Sequence, residues 1–594
     1  MKKLVFLIYL LVILSGNIIS QPIHSFIAAF DSLHQNLSTY YAFTNWKNIN
    51  WKSLYSEFQP RVAAAESNDD SSAFLMAMKE YTFRIPDGHI GLQTGLYPYA
   101  GIDTTLFEKK HTNWVRLENN LRNQQIGGSY GFTLIKLDDG RFVVRLVTAG
   151  SPADSAGIKF GATMLEINDQ PIGEAIDSVS VVWAEQIPAT NETTQLQQCR
   201  MIGRAPVRTT IKVEFENKGD VTPTTINLTA VNDNYATYNL TSMLPILSPQ
   251  ISNKILQPSG YGYLQITSCI PPTSVVTDFM NAFAALLADS IKGLVVDLRI
   301  NTGGQDFFAA AVAGCFYSDT SLYEYQSFYD PTTSAFQISN DTLDYLDFAK
   351  GLYKASGFPS GSLYIVPQAL VFKGPVVVMV SPRNVSSGEG IAMALQKLPQ
   401  CKVVSFYGSF GSFGILAADM NLLSIQDSLE LSYPNGRSLD VNKKIQVDSD
   451  SNKIGGVIPD IRPPLNDQTI DQLYTEGIDV ELEYAVQELD KMNGIEGIKN
   501  EKSKIPVLFA LYQNYPNPFN PTTTINYSIP KASLVTIKVY DILGRVISTL
   551  VNGEKSAGNY SVQFSAIGGL SSGVYFYRMQ AGGFVQTKKL LLLK

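Results

Sequence analysis

The spacing of hydrophobic and polar positions changes from region to region along this chain. Between residues 21 and 118, apolar residues recur every three or four positions in runs such as SFIAAFDSLHQNL and SSAFLMAMKEYTF. This spacing predicts a small helical cap domain. Pro86 and Gly88 interrupt it and predict a loop. Between 125 and 231, short runs such as FTLIKL and TTIKVEF predict a β domain.

From 255 to 493, continuous apolar runs such as KGLVVDLRI and PVVVMVS alternate with helical runs such as VVTDFMNAFAALLADS. Apolar strands followed by helices predict an α/β domain whose sheet is covered on both faces. Residues 494–506 are charged and predict a linker. From 507 to 594, strand-like runs separated by Pro, Asn and Gly predict a small β-sandwich. The predicted fold class is therefore multidomain, with α/β and all-β parts.

The first twenty residues have the pattern of a secretory signal peptide. A basic start, Met1-Lys2-Lys3, is followed by the apolar run LVFLIYLLVIL and then by SGNIIS. The apolar run is short for a membrane span, and no cysteine follows it to carry a lipid. We expect cleavage near Ser20, and a mature form without a transmembrane span.

Composition narrows the possible partners. Hydrophobic residues make up 45% of the 594 residues and charged residues 17%, as in ordinary globular domains. The net charge is -7, and no run of Lys or Arg is long enough to follow a phosphate backbone, which argues against nucleic acid. The four cysteines lack CxxC spacing, and no ligand cluster implies a metal or an organic cofactor. We expect buried thiols, with one disulfide still possible after export.

The run VVVMVSPRNVSSGEGIAMALQKL carries the most informative candidate chemistry. It leads from an apolar strand through a polar turn directly into a helix. A serine in that turn lies at a helix N-terminus, where free backbone N–H groups and the helix dipole face a developing oxyanion. Asn384, Ser386 and Ser387 are also good N-cap residues, so simple helix capping is the alternative.

Two motifs together resemble the C-terminal processing and tricorn-like serine peptidases, which have a ClpP/crotonase-like core. The first is Ser-x-x-Glu in the turn above, and the second is GLVVDLRINTGG. The resemblance implies that Ser386 is the nucleophile, that the Ser387 amide is an oxyanion donor and that Glu389 lies in the first helical turn. It also implies that Gly303 and Gly304 supply backbone donors, with supports for their loop at Asp297, Arg299 and Asn301.

The resemblance allows two kinds of general base, because one branch of this family uses a lysine and another a histidine. The segment Gly408–Gly414, where the lysine is expected, contains no lysine. Other candidates for a lysine base are Lys402, Lys443, Lys444 and Lys453. His89 lies in Asp87-Gly88-His89, which resembles the loop that carries the base in Ser-His-Glu members. We therefore predict a tricorn-like Ser-His enzyme with His89 as the base. A structural loop histidine is the alternative.

The third catalytic group is expected shortly before a G-V-x-P-D segment. Here that segment is Gly456–Asp460, and the usual Glu is missing from the residues before it. Asp448 and Asp450 are the nearest substitutes for an orienting carboxylate. The alternative is that both are surface-loop acids.

The flanking domains also resemble known modules. The stretch around GSPADSAGIKFGATMLEINDQPI resembles a PDZ domain, whose carboxylate-binding loop would comprise Tyr130, Gly131 and Phe132 and would add a peptide tail as an extra strand. Residues 507–594, with NYPNPFNP, VYDILGRVI and SGVYFYRM, resemble the type A sorting domain of type IX secretion. That resemblance implies passage through the periplasm and outer membrane by the type IX machinery. A carbohydrate-binding or adhesive sandwich is the alternative.

These observations predict a secreted or surface-attached serine endopeptidase. It would hydrolyse protein or peptide substrates through an acyl-enzyme on Ser386, with the PDZ-like domain selecting protein tails. The alternative is an inactive peptide- or ligand-binding pseudopeptidase, favoured by the missing lysine and the displaced acid.

Overall fold

The structure is a computed structural model. It describes residues 25–93, 108–241, 249–270, 273–354, 357–416, 422–426, 429–494 and 509–592, the last range with gaps at 512–513, 515–516, 518, 520, 530 and 567–569. The predicted signal peptide and nearly all of the predicted linker lie outside these residues. The described chain divides into two compact units. The first takes its residues from 1–135, 142–463 and 470–494, and the second from 136–141, 464–469 and 495–594.

The predicted helical pattern near the start of the chain is observed. Aromatic and aliphatic side chains at helical spacing form the core of this region, including Phe30, Phe58 and Phe74, which are fully buried. Its elements are α1 (Phe26–Tyr40), α2 (Trp51–Ser67), α3 (Ser71–Phe83), β1 (Gly91–Gln93) and α4 (Glu108–Ile126).

A β-rich region follows, as the short alternating runs predicted. Its main sheet has the strand order β3-β4-β5-β8-β9, and a small sheet has the order β10-β2-β7. The elements are β2 (Gly128–Ser129), β3 (Phe132–Lys136), β4 (Phe142–Val147), α5 (Pro152–Ser155), β5 (Thr163–Ile167), β6 (Gln170–Pro171), α6 (Ile172–Asp177), α7 (Asn191–Met201), β7 (Arg204–Ala205), β8 (Thr210–Glu216), β9 (Thr224–Thr229), β10 (Val231–Asn232) and α8 (Ala236–Leu240).

The α/β region comes next. Its helices and strands are β11 (Ile251–Ile255), β12 (Gly262–Ile266), α9 (Thr273–Ala288), β13 (Leu294–Asp297), α10 (Asp306–Gly314), β14 (Ser321–Asp330), β15 (Ala335–Ile338), β16 (Asp344–Asp347), β17 (Gly351–Lys354), β18 (Ser362–Ile365), β19 (Val376–Met379), α11 (Ser387–Gln396), β20 (Cys401–Val404), β21 (Leu422–Gln426), β22 (Leu429–Ser432), β23 (Gly436–Leu439), α12 (Asp467–Asp471), a π-helix (Gln472–Glu476) and α13 (Val480–Met492). All four cysteines of the chain are buried.

The central sheet of this region has the order β11-β12-β13-β19-β20, and β12, β13, β19 and β20 run parallel. Residues alternate between its faces: Val296 packs with α9–α11, whereas Val295 packs against α13. The prediction of an α/β sheet covered on both faces is therefore confirmed. Since β13 and β19 are parallel neighbours, the loops after them leave from the same edge of the sheet.

Strand β1 connects the helical region to the α/β region. It pairs antiparallel with β22, with Gly91 opposite Ser432, and β22 pairs in turn with β21. Leu429 and Leu431 of β22 are fully buried in the core that the helices form. This pairing fixes the position of the loop that directly precedes β1.

The second unit contains the predicted β-sandwich. One sheet has the order β24-β25-β28 and the other β27-β26-β29-β30, and buried side chains from both sheets form one core. Its strands are β24 (Ala510–Leu511), β25 (Thr522–Ile529), β26 (Ser533–Tyr540), β27 (Val546–Lys555), β28 (Gly558–Ser565), β29 (Gly573–Ala581) and β30 (Phe584–Leu592). Among the described residues of the chain, no helix is long and apolar enough to cross a membrane.

Candidate active site

Ser386 lies between β19 and α11 in a backbone conformation that few residues adopt. Its φ of 57° is in the left-handed region, which costs about 1–3 kcal/mol in a residue other than glycine. The Ser386 amide donates to the Ser412 carbonyl oxygen at 3.0 Å and to Glu389 Oε2 at 3.1 Å. Ser386 is half-buried, whereas both of its neighbours are buried. The turn thus presents this hydroxyl at the start of a helix.

Glu389 holds the turn together from within the protein. Its carboxylate is fully buried and accepts four hydrogen bonds: Oε1 from Ser409 Oγ at 2.5 Å and the Gly411 amide at 2.7 Å, Oε2 from the Ser386 and Ser412 amides at 3.1 Å each. Burial raises the pKa of Glu389 to about 7, although these donors lower it. Glu389 therefore ties the 408–414 loop to the serine turn, in line with its predicted supporting place in the first helical turn.

The loop after β13 lies directly against Ser386. A Cβ on Gly303, whose φ is 79°, would lie 2.5 Å from the Ser386 Cβ, so only glycine fits. The Gly303 amide, however, donates to Asn301 Oδ1 at 2.8 Å. The prediction that this amide is an oxyanion donor is therefore wrong for this conformation, because the side chain two residues earlier already engages it.

Gly304 and Ser387 are placed differently. Gly304 forms a parallel β-bridge with Cys269. The two hydrogen bonds of this bridge are made by the neighbours of Gly304: the Cys269 amide donates to the Gly303 carbonyl oxygen, and the Gln305 amide donates to the Cys269 carbonyl oxygen. The Gly304 amide itself therefore points away from Cys269. The Ser387 amide belongs to the first residue of α11, where N–H groups have no partner within their own helix. The role of these two amides as oxyanion donors stays a prediction.

Three residues support the loop after β13. Asn301 is fully buried and its Nδ2 donates to the Ile266 carbonyl oxygen at 3.0 Å. Arg299 Nη2 donates to Asp297 Oδ2 at 2.8 Å and to Asp479 Oδ2 at 2.7 Å. The loop is thereby fixed to β12 and to the start of α13.

The loop that carries His89 reaches the serine turn through Ser412. The Gly88 amide donates to Ser412 Oγ at 2.9 Å, while the Ser412 carbonyl oxygen accepts from Ser386. Two loops that are almost 300 residues apart in sequence thus share one hydrogen-bonding partner. His89 also interacts with Asp306, whose Oδ1 accepts a hydrogen bond from Ser387 Oγ at 2.7 Å. Burial raises the pKa of Asp306 to about 6, although Ser387 and His89 both lower it.

The imidazole of His89 is largely buried and has one carboxylate beside it. Its Nδ1 lies 3.7 Å from Asp87 Oδ1 and, within the described residues, has no hydrogen bond. Asp87 is fully buried; its Oδ1 accepts the His89 amide at 2.9 Å and its Oδ2 the Tyr41 hydroxyl at 2.8 Å. Burial would raise the pKa of Asp87, but His89 and Lys47 lower it to about 2. Its partners therefore favour the ionised form of Asp87.

The two acids predicted as orienting groups differ sharply. Asp448 is buried, so it is no surface acid; its Oδ2 accepts the Phe413 amide at 3.1 Å and its Oδ1 lies 4.0 Å from Lys47 Nζ. Burial, with the nearby Asp87 and Glu389 charges, raises its pKa well above the usual range. Asp450 accepts the Asn452 amide at 2.8 Å and shapes an exposed turn. Asp448 thus binds the 408–414 loop, whereas Asp450 has its partner in its own segment.

The remaining candidate bases lie elsewhere or have other partners. Lys443 lies over the Tyr325 ring, and Lys453 lies in the Asp450 turn. Among the described residues, Ser386 forms no hydrogen bond or ion pair with a lysine. His34 Nδ1 shares a hydrogen bond of 2.8 Å with the Tyr81 hydroxyl in the helical core. His24 and the side chain of His111 lie outside the described residues.

Two of the three amides in the loop predicted to bind a peptide carboxylate have partners within the protein. The Tyr130 amide donates to the Gly203 carbonyl oxygen at 3.0 Å, and the Gly131 amide to Ser129 Oγ at 3.0 Å. The side chains of Tyr130 and Phe132 are buried in the core of the β-rich region. Two of the three amides of this loop are thus used internally, and capture of a peptide tail by the loop stays a prediction.

Three segments of the chain match family models. Residues 260–462 match peptidase family S41, residues 26–79 the tricorn protease C1 domain, and residues 513–593 a secretion system C-terminal sorting domain. A comparison with curated proteins found no match. The sorting domain indicates export through the type IX system, to the cell surface or into the medium.

Several solved peptidase structures are similar to this chain. Mature CPAF complexed with lactacystin is 12% identical with a TM-score of 0.51, covering 80% of this chain and 99% of that one. A putative peptidase from Parabacteroides merdae is 14% identical with a TM-score of 0.41, covering 78% and 96%. The photosystem II D1 C-terminal processing protease is also 14% identical with a TM-score of 0.34, covering 77% and 99%. The S41 match at residues 260–462 indicates a serine-type peptidase, in a chain that also carries a secretion system C-terminal sorting domain.

Proposed function

We propose that this protein is an exported serine endopeptidase that forms an acyl-enzyme on Ser386, with His89 as the general base. The observation that carries the proposal is the shared partner Ser412, which binds both the loop of the base and the turn of the nucleophile. The strained backbone of Ser386 supports it further, because such strain persists where the surrounding contacts impose it and is concentrated at functional sites.

In the proposed reaction, Ser386 Oγ attacks the carbonyl carbon of the scissile peptide bond while His89 Nε2 takes its proton. The carbonyl oxygen becomes an oxyanion that the Gly304 and Ser387 amides stabilise, helped by the N-terminal dipole of α11. Collapse of this intermediate breaks the C–N bond, and the leaving amine takes the proton from His89. A water molecule, deprotonated by His89, then attacks the ester carbonyl carbon and forms a second tetrahedral intermediate. Its collapse breaks the C–O bond to Ser386, releases the acid product, and returns the proton from His89 to Ser386 Oγ.

The sorting domain bears on the substrate class. An enzyme exported by the type IX system meets proteins and peptides at the cell surface or in the medium, so we propose these as substrates. Selection of tails at Tyr130–Phe132 is not part of the proposal, because that loop uses its own amides. A region other than this loop would have to recognise the polypeptide.

A second candidate function is binding without turnover. It is favoured by the distance of 3.7 Å between His89 and Asp87, which is too long for a hydrogen bond. Hydrogen bonds of catalytic groups are, however, often long until substrate binds. This distance therefore does not outweigh the geometry of the serine turn.

A fluorophosphonate probe tests the proposal on the purified full-length chain. We expect the probe to label Ser386 and to block hydrolysis of a denatured protein such as casein. Ser386→Ala and His89→Gln should each lower kcat by at least about 10³-fold. Ser67→Ala, at the exposed end of α2, is the matched serine control and should change neither signal. Full hydrolysis by Ser386→Ala would refute the assignment, and a correctly folded wild type with no labelling and no turnover would favour the binding protein.

A further inference from the structure

We infer that Asp87 is the positioning carboxylate of the catalytic triad, so that base and acid both come from the single loop 84–90 of the helical region. This inference rests on the proposed function, because it needs His89 to be the base. It replaces the two acids that the sequence suggested near Gly456. The base and its acid are then two residues apart, whereas the nucleophile comes from the α/β region.

Geometry carries the assignment. Nδ1 of His89 is a buried polar atom without a hydrogen bond among the described residues, and Asp87 Oδ1 lies 3.7 Å away. The same Oδ1 accepts the His89 backbone amide at 2.9 Å, which fixes the carboxylate relative to the ring. A small rotation of the imidazole would bring Nδ1–H into hydrogen-bonding distance and leave Nε2 available to the serine.

The surroundings of Asp87 fit an acid that must stay ionised. The Tyr41 hydroxyl donates to its Oδ2 at 2.8 Å. The ammonium of Lys47 is also buried; it donates to the Pro86 carbonyl oxygen at 3.0 Å and to Ser449 Oγ at 2.8 Å. A buried carboxylate needs such compensation, since desolvation disfavours its charge. A permanently charged carboxylate is what stabilises the imidazolium that forms during attack.

Asp448 does not meet these requirements. One of its oxygens accepts the Phe413 amide and the other faces Lys47 at 4.0 Å, and no contact joins it to the described atoms of His89. Asp450 is in the exposed turn and accepts amides within its own segment. Asp448 therefore holds the 408–414 loop, and Asp450 supports its own turn.

Isosteric amides separate the three acids. We expect Asp87→Asn to lower kcat by about 10³- to 10⁴-fold with an intact fold, because the amide can favour the wrong imidazole tautomer. We expect Asp448→Asn and Asp450→Asn to stay within tenfold of wild type. The acidic limb of the kcat/KM profile should move to lower pH only in Asp87→Asn, since the imidazolium loses its counter-charge there. Among the described residues, Asp87 and Asp306 interact with the imidazole, and Lys47 and Asp448 interact with Asp87.

A spectroscopic measurement needs no change at Asp87, and so holds even if Asp87→Asn does not fold. In ¹⁵N-histidine NMR of the Ser386→Ala protein, neutral His89 should be the Nδ1–H tautomer, and adding Asp448→Asn should not change it. The Nε2–H tautomer would overturn the inference, as would an Asp87→Asn enzyme within tenfold of wild type. If Ser386→Ala and His89→Gln both retain activity, the proposed function itself fails, which is a distinguishable result.

Discussion

Substitution of Glu389 by glutamine should unfold or loosen the serine turn without removing any catalytic atom. The carboxylate accepts four hydrogen bonds, two at each oxygen, and it is fully buried. A glutamine amide keeps one oxygen and turns an NH₂ group toward the other two donors. Whichever way the amide is oriented, two donors lose their acceptor.

The expected cost follows from that count. A buried donor left without an acceptor costs about 1–3 kcal/mol, so two such donors cost about 2–6 kcal/mol of unfolding free energy. Removing the carboxylate charge, whose pKa burial raises to about 7, offsets about 3 kcal/mol of this at pH 8, so Glu389→Gln should lose at most about 3 kcal/mol. Because one oxygen holds the Ser386 and Ser412 amides, we also expect kcat to fall by at least about 10²-fold, as a small misplacement of a catalytic group does.

Urea unfolding at pH 8, monitored by tryptophan fluorescence, measures the loss of unfolding free energy in the first compact unit. All four tryptophans lie in the first unit, so the signal is not mixed with unfolding of the sandwich: Trp46, Trp51, Trp114 and Trp183. Glu80→Gln, which removes the exposed partner of Arg61, is the matched control and should change stability by no more than about 1 kcal/mol. A loss below 1 kcal/mol in Glu389→Gln with normal activity would refute the reasoning.

Two further predictions concern residues around the serine turn. Burial, with the nearby Asp306 charge, raises the pKa of Glu324 from 4.5 to about 8, so wild-type stability should decline as pH rises from 4.5 to about 8. Glu324→Gln should remove the share of this decline that Glu324 causes, about 5 kcal/mol at most at about 1.4 kcal/mol per unit of pKa. Asp306 and Glu389, whose pKa values burial also raises, keep the rest of the decline, so an equal loss of stability from pH 5 to pH 9 in both proteins, measured by urea unfolding, would contradict the prediction. Gly303→Ala places a Cβ 2.5 Å from that of Ser386 and should lower kcat by at least about 10²-fold. Gly477→Ala has a similar φ in open space and should leave kcat unchanged; equal activity of the two variants would count against the clash.

Hydrophobic periodicity was sufficient to predict the α/β region, because both faces of its parallel strands are buried and leave continuous apolar runs. It also placed the two motifs correctly. The glycine loop follows β13 and the serine turn follows β19, and these strands are parallel neighbours, so the motifs meet at one edge of the sheet. The carboxylate of Glu389 beneath the turn is likewise a local consequence of its position in the first turn of α11.

The acceptors that the backbone amides of these loops bind could not be predicted from the sequence. Gly303 has the residue type of an oxyanion donor, but Asn301 folds back and binds its amide. Tyr130 and Gly131 have the sequence of a carboxylate-binding loop, but Gly203 and Ser129 occupy their donors. Residue type shows which backbone conformation is possible at a position. The hydrogen-bond acceptor of each N–H group depends instead on the groups that pack against it.

The acid of the site could not be found from sequence for a related reason. Sequence position suggested the segment near Gly456, while the charge balance is set by Lys47, whose ammonium reaches Ser449 from 402 residues away. Lys47 has no motif around it that distinguishes it from a surface lysine. Only its burial near Asp87 and Asp448 shows that its charge acts on both carboxylates.

The position of His89 therefore depends on how the helical region packs against the α/β region. β1 pairs with β22, Trp46 Nε1 donates to the Asp448 carbonyl oxygen at 3.1 Å, and the Gly88 amide binds Ser412. Each of these contacts joins the two regions, and Ser412 in turn holds the amide of Ser386. A change that loosens this packing should consequently reduce catalysis even when the serine turn is intact, because base and nucleophile are fixed by the same interface.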